Sequence, residues 1–207
     1  MHDDTVCTSG RCRVLIVDTD VVLVERQLQA GELTCPSCGA ALGPWGHGRP
    51  REVRGDLGSR LFVRPRRSRC TGCGITHVLL PEMLWPRRMD AAEVIGLGLE
   101  IAALGLGHRR VAARLGLAED TVRGWFRRFR RRSEDVRRYF TVALVALADD
   151  PVMPEPSACP LADAVSVITA AHRAAVMKWP EMNTVSRWAF AGRVIDGRVL
   201  TCTASAS

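Results

Sequence analysis

The sequence predicts a mainly α-helical protein with a small β ribbon built around four cysteines, followed by a helix-turn-helix domain and a short C-terminal helical unit. Three observations predict this. Two Cys-x-x-Cys-Gly pairs stand 31 residues apart. Three apolar patterns at helical spacing follow them, with a glycine between the second and the third. Pro151, Pro154, Pro156 and Pro160 then set off a last helical stretch. The expected division is an N-terminal strand and helix segment over 1–30, the ribbon over 31–86 and the helix-turn-helix domain with a trailing helix over 87–148. A Pro-rich linker over 149–160 and a C-terminal segment over 161–207 complete it.

A chain of 207 residues accommodates one large domain or two small ones, and 47% apolar residues exclude wholesale disorder. Aromatics are only 5%, so the core must be mostly Val, Leu, Ile and Ala. The most apolar stretch, 94–106, is too short for a membrane span and contains Glu100. The start, Met1-His2-Asp3-Asp4, resembles neither a secretory signal nor a transit peptide. The expectation is a cytoplasmic, nucleoid-associated protein without a membrane partner, whose thiols stay reduced.

Over 13–28, Val14-Leu15-Ile16-Val17 reads as a strand and 21–28 as a helix leading into the first cysteine pair. That pair is Cys35-Pro36-Ser37-Cys38-Gly39, and the second is Cys70-Thr71-Gly72-Cys73-Gly74. Two intervening residues let both thiolates of a pair reach one ion, and the following Gly permits the positive φ of the return turn. Two such knuckles complete a closed Cys₄ shell suited to structural Zn²⁺. A redox pair is the alternative reading of one Cys-x-x-Cys, but duplication with Gly after each copy favours metal. His77, four residues after Cys73, and His47, in the Gly-rich loop 43–48, are weaker ligand candidates. Cys7 and Cys12 have an awkward four-residue gap for a third knuckle and read, like Cys159 and Cys202, as free thiols. Leu61-Phe62-Val63 and His77-Val78-Leu79-Leu80 are the strands expected to enter and leave the second knuckle.

Asp90-Ala91-Ala92-Glu93 has the form of a capping box, and Val94, Leu97, Ile101 and Leu104 follow at helical spacing. Gly96-Leu97-Gly98 lacks the third glycine of a dinucleotide loop. Over 108–116, Val111, Ala112 and Leu115 make one apolar face, and Gly116 suits a tight turn between helices. From Glu119, the residues Val122, Trp125, Phe126 and Phe129 form a stripe at i, i+3, i+4 and i+7. Arg123, Arg127 and Arg131 are spaced at four and share another face. Ser133 to Ala148 continues helical, with Val136, Tyr139, Phe140, Ala143, Leu144 and Leu147 on one face.

Beyond the linker, Leu161, Val165, Ile168, His172, Ala175, Val176 and Trp179 recur at helical spacing. Val185, Trp188 and Ala189 suggest a short second helix, and Asp196-Gly197 a hairpin turn between 194–195 and 199–200. This segment is too small to fold well alone. It either packs on the preceding helices or docks on a partner through Trp179 and Trp188.

Charge is concentrated. Nine Arg and two acids lie in 108–132, and eight Arg and two acids in 49–69, while the remainder is net acidic. That distribution points to a polyanion, most simply double-stranded DNA, against the plainer reading of solvated basic faces. Arg109, Arg110, Thr121, Arg123, Gly124, Arg127, Arg128 and Arg131 are the candidate DNA-contacting residues. Thr121, Arg123, Gly124 and Arg127 would lie near base edges, while Arg128, Arg130, Arg131 and Arg132 would hold phosphates. Arg64, Arg66, Arg67 and Arg69 are candidate contacts to the DNA backbone, although this segment reads equally well as a structural platform.

The order of these motifs, with His47-Gly48, Arg54-Gly55 and the run from Arg109 through Arg123-Gly124-Trp125, resembles the zinc-finger and helix-turn-helix front end of insertion-sequence transposases. It is more similar still to small zinc-ribbon and helix-turn-helix proteins of high-GC bacteria. Those carry a domain of unknown function and often accompany mobile-element genes. The resemblance covers about Leu33 to Arg132. It implies DNA binding and a partner such as a transposase or ATPase. The transposases' three-carboxylate catalytic domain has no counterpart in the 75 residues after Arg132, so no catalysis is carried over and the chain is not expected to be an enzyme. A conventional transcription regulator and a protein-interaction adaptor are the competing readings. No heptad seam marks an oligomer.

Overall fold

The computed structural model describes residues 13–200. In chain order they form β1 (Arg13–Val17), α1 (Val21–Gln29), β2 (Leu42–His47), β3 (Arg51–Arg54), β4 (Arg60–Val63), β5 (Arg66–Cys70) and β6 (Thr76–Pro81). The helices α2 (Ala92–Ala103), α3 (His108–Leu115), α4 (Glu119–Arg130), α5 (Ser133–Leu147), α6 (Pro160–Lys178) and α7 (Arg187–Val194) follow. The result is a helical protein with a smaller β part. Two compact units replace the expected segments: one holds residues 13–52 and 62–81, the other 53–61 and 82–200.

The first unit is a four-stranded sheet in the order β1-β6-β5-β2, with α1 on one face. β1 runs parallel to β6 in the register Leu15↔Leu79, while β5 runs antiparallel to β6 and to β2. The residues before the first knuckle are therefore not a separate segment. β1 is an edge strand of the sheet that carries the second knuckle. Asp20 caps α1, its Oδ1 accepting from the N–H groups of Val22 and Leu23. Val24 and Leu28 of α1 pack with Val17, Leu42 and Leu79 and the two buried cysteines. The stretch expected as a Gly-rich loop is β2, bulged between Pro44 and His47. Gly46, at φ +86°, takes the backbone turn within that irregularity.

In the second unit, α5 and α6 pack side by side, and α2 lies against α3, α4, α6 and α7. Residues 149–159 thus join neighbouring helices, and the C-terminal segment is part of this core. Of packing and docking, it packs. Trp188 is buried edge-on against Trp85, whose Nε1 donates to the Trp188 carbonyl. Trp179 stays partly exposed.

Three local expectations give way here. Asp90 does not cap α2; Ala91 is the N-cap residue, without a side-chain bond, and Asp90 is instead paired with Arg54 at 3.1 Å. Leu97 and Leu104 face solvent, because α2 buries Ile95, Leu99 and Ala102 with Val94 and Ile101. No hairpin forms at the end. Asp196 and Gly197 adopt positive φ at the C-terminus of α7, with the Gly197 N–H donating to the Gly192 carbonyl. On α5, Tyr139 lies outside the buried face of Val136, Phe140 and Leu144. Among the described residues no helix is long and apolar enough to cross a membrane.

Candidate functional site

The two knuckles meet. The Sγ atoms of Cys35, Cys38, Cys70 and Cys73 all lie within 4.8 Å of one another. Cys35 is 3.8 Å from Cys73, and Cys38 is 3.4 Å from Cys70. Four sulfurs tetrahedrally placed at about 2.3 Å from one ion would be spaced at about 3.8 Å, so the cluster has the dimensions of a metal site. The two halves are built alike. The Gly39 N–H returns to the Cys35 carbonyl and the Gly74 N–H to the Cys70 carbonyl, with φ of +74° and +72° at the two glycines. Cys35 N–H binds the Ala40 carbonyl and Cys70 N–H the Ile75 carbonyl. None of the four cysteines is in a disulfide.

The electrostatics favour thiolates at two corners. The Cys73 N–H, with the Gly72 N–H and the Cys38 sulfur, outweighs burial and lowers Cys70 to about 6. Burial pushes the Cys35 thiol up, but the N–H groups of Ser37 and Cys38 and the His77 ring more than reverse it, to about 7. Cys73 moves the other way. The Ile75 N–H favours its thiolate, yet desolvation and the neighbouring sulfurs push it up to about 11. Four thiols this close cannot all ionise without a cation, and a divalent ion would remove that conflict.

His77 is not part of the cluster. It is fully buried on β6 behind it, with Nε2 3.5 Å from Cys35 Sγ. His47 lies at the end of β2, away from the sulfurs, with burial and Arg66 lowering its pKa. Cys159 is an exposed thiol elsewhere, and Cys7, Cys12 and Cys202 lie outside the described residues.

The second feature is α4. Val122, Trp125, Phe126 and Phe129 are all buried, so the expected stripe is the buried one. A three-residue turn, 116–118, joins α3 to α4. Gly116 there has φ +64°, and the Leu117 N–H donates to the Ala112 carbonyl. Val111, Ala112 and Leu117 are buried beneath this turn. The opposite side of α4 exposes Arg123, Arg127 and Arg130, with Arg131 just beyond its end. Among the described residues, Arg127, Arg131 and Arg110 of α3 have no ion-pair or hydrogen-bond partner for their side chains. Arg123 pairs with Asp120 at 2.8 Å and Arg109 with Glu119 at 3.4 Å, both at exposed positions where such pairs contribute little. Arg128 is half-buried, and its Nη1 lies over Gly124, close enough that a Cβ there would displace it. Thr121 is half-buried at the start of the helix.

Arg132 departs from the expected phosphate-binding role. It is 4% exposed, and its Nη1 donates to the Arg198 carbonyl at 2.7 Å. It ties the segment after α7 to the α4–α5 junction. The four arginines on and just before β5 are also unequal. Arg66 is held by both carboxylate oxygens of Glu25 and by the Gly46 carbonyl. Among the described residues, Arg64 and Arg67 have no ion-pair or hydrogen-bond partner for their side chains. Arg69 lies over the ring of Trp45 at 4.7 Å. Trp45 was not singled out by the sequence, where it stands isolated among glycines and proline.

Residues 35–125 match the model of a domain of unknown function, DUF6431. The match opens on the first cysteine of the cluster and ends on Trp125 in α4. No curated protein and no solved structure matches the chain.

Proposed function

We propose that this chain is a zinc-containing, sequence-specific DNA-binding protein that serves a mobile genetic element as an accessory, targeting or regulatory component and leaves the chemistry to a separate enzyme. The observation that carries the reading is the two-sided α4. Its aromatic stripe is anchored in the core, while unpartnered arginines stand on the exposed side, preceded by a short glycine turn and a second helix. A helix so anchored is suited to the major groove, in the manner of a helix-turn-helix recognition helix. Arg123 and Arg127 are then placed to pair with guanine O6 and N7, with Thr121 and Gly124 allowing close approach. Arg109, Arg110, Arg128, Arg130 and Arg131 would hold phosphates and set affinity rather than sequence.

The metal is read as Zn²⁺ because four thiolates with tetrahedral spacing and no open position are the donor set of structural zinc sites. Its role is to hold the two knuckles together and so fix the sheet. A bound ion there would not activate a substrate.

Selection of genomic fragments surrounding the gene, followed by footprinting, tests this reading. Protection at paired terminal repeats is expected. Protection confined to a promoter would make the chain a conventional regulator. No specific protection from a folded, zinc-loaded chain would overturn DNA recognition.

One observation favours a second reading, an adaptor that recruits a transposase or ATPase. An apolar cleft of about 1070 Å³ lies between α2, α5, residues 149–154 and α6, lined in part by Leu104, Val152, Met153 and Met177. Leu104 is 81% exposed and Met177 86%. Leu104→Glu and Met177→Glu would abolish partner capture under that reading and leave footprints unchanged.

A further inference from the structure

The sheet of the first unit has two unlike faces. Residues alternate along a strand, and the register pairs Arg66 with Leu79 and Ser68 with His77. Leu79 packs in the α1 core, so Arg66, Ser68 and Cys70 face α1, where Glu25 neutralises Arg66. Arg67 and Arg69 therefore point to the face away from α1. Thr76, Val78, Val14 and Ile16 occupy that face along β6 and β1 by the same register. Among the described residues of these strands no acidic side chain falls on that face. Asp20 and Glu25 both belong to the α1 side.

At the β2 edge of this face stands Trp45, 49% exposed, with the Arg69 guanidinium stacked on its ring. Beside the pair lies the second knuckle, where Gly43, Pro44 and Arg69 with Cys70, Thr71, Gly72, Cys73 and Gly74 line a shallow depression of about 570 Å³. The Thr71 hydroxyl there donates to the Ala41 carbonyl. An exposed indole beside two arginines on a face without acidic side chains unites the two elements of single-strand recognition. One is a π surface for a base and the other is positive charge for the backbone.

We infer that the Trp45–Arg69 pair is a stacking site for an unpaired nucleotide of DNA, with Arg67 and Arg69 on the flanking phosphates. The choice of a DNA strand over RNA rests on the proposed duplex binding by α4 of the same chain. The charge complementarity is one-sided. Arg69 can swing from the indole to a phosphate as a base takes its place, because nothing but the ring and the Gly74 carbonyl holds it.

The test uses the full, zinc-loaded chain and an oligothymidylate of about 12 nucleotides, with the matching oligouridylate and a duplex as comparisons. Trp45→Ala is expected to weaken oligothymidylate binding about ten-fold, the effect of one lost base stack, and to leave duplex binding unchanged. Trp45→Phe should retain most of the affinity while removing the fluorescence quenching that the oligonucleotide causes in the parent protein. Arg69→Ala should weaken binding and flatten its salt dependence. Arg127→Ala should do the reverse of Trp45→Ala, weakening duplex binding alone, so loss of the duplex reading is seen separately. Oligothymidylate binding that survives Trp45→Ala but not Arg69→Ala would mean a plain polyanion patch and overturn the stacking site. Tighter binding of the oligouridylate would overturn the choice of DNA. Absence of oligothymidylate binding by the parent chain would overturn the inference altogether.

Discussion

Gly96 of α2 lies against the indole of Trp188, so closely that a methyl group on residue 96 would fall within the ring. Trp188 is almost completely buried, and its Nε1 donates to Glu100 Oε1 at 2.8 Å one turn further along the same helix. Arg187 donates to the same carboxylate oxygen. The glycine thus lets α2 and α7 close on each other, and Glu100 fixes the ring that fills the gap.

Gly96→Ala should therefore destabilise the second unit by about 3 kcal/mol, because the ring is pinned and cannot retreat. Gly98→Ala is the comparison, since a Cβ there meets Leu115 and Trp125 at 3.4 Å, near ordinary contact. It should change stability by less than about 1 kcal/mol, overpacking being offset by helix propensity. Thermal unfolding of both variants distinguishes them, and equal losses would contradict this packing.

If the four cysteines hold zinc as proposed, Cys70→Ser should remove it and unfold the first unit, because metal binding at such a site is coupled to folding. Zinc content and melting temperature should fall together, and a chelator should reproduce the effect on the parent protein. Cys159→Ser, at an exposed thiol, should change neither. A Cys70→Ser variant with full zinc content and unaltered melting would remove the metal centre from the proposal.

The arginines at the end of α4 separate by role. Arg131→Ala should weaken duplex binding across sequences and reduce the slope of log affinity against log salt by about 1, the loss of one phosphate contact. Arg132→Ala should instead lower stability by roughly 2–3 kcal/mol, since it strips the Arg198 carbonyl of a buried charged donor. Salt titrations of DNA binding beside denaturant melts read the two effects independently. A flat salt dependence in the parent protein would favour the adaptor reading.

Glu93 gives the stability a pH dependence. Burial raises its pKa above the ordinary 4.5, against the lowering effect of Ser186, and its Oε1 is buried without a partner. The folded state therefore holds this proton to higher pH than the unfolded state. The group's contribution to stability is greatest below 4.5, declines as pH rises toward its raised value and stays lost above it. Glu93→Gln should leave the melting temperature unchanged at pH 4 and raise it by about 2–4 °C at pH 8, if relief of the buried charge is about 1 kcal/mol. An equal gain at both pH values would show that ionisation is not the cause.

The parts of this molecule that were legible in the sequence are those encoded by short-range spacing. Two residues between cysteines and a glycine after each pair already describe a knuckle. The αL turn at Gly116 and the stripe of Val122, Trp125, Phe126 and Phe129 could be read because charged residues fill every other side of α4. In α2 the same method misassigned Leu97 and Leu104. That helix is apolar nearly all round, so periodicity does not say which side is covered. Asp90 looked like a cap because local spacing fits one, but the guanidinium of Arg54, 36 residues earlier, outcompetes a backbone N–H for the carboxylate.

By itself, then, the sequence determined the two cysteine knuckles, the anchored face of α4 and the concentration of positive charge, all of which are properties of neighbours along the chain. The tertiary structure alone decided which arginines are available. Arg66 is neutralised by Glu25, Arg132 is buried under Arg198, and Arg69 is laid on Trp45, while Arg127 and Arg131 are left in solvent. The physical reason is that a guanidinium's charge is fixed by its chemistry, but its availability depends on which acids, carbonyls and rings the fold brings within hydrogen-bonding or stacking distance.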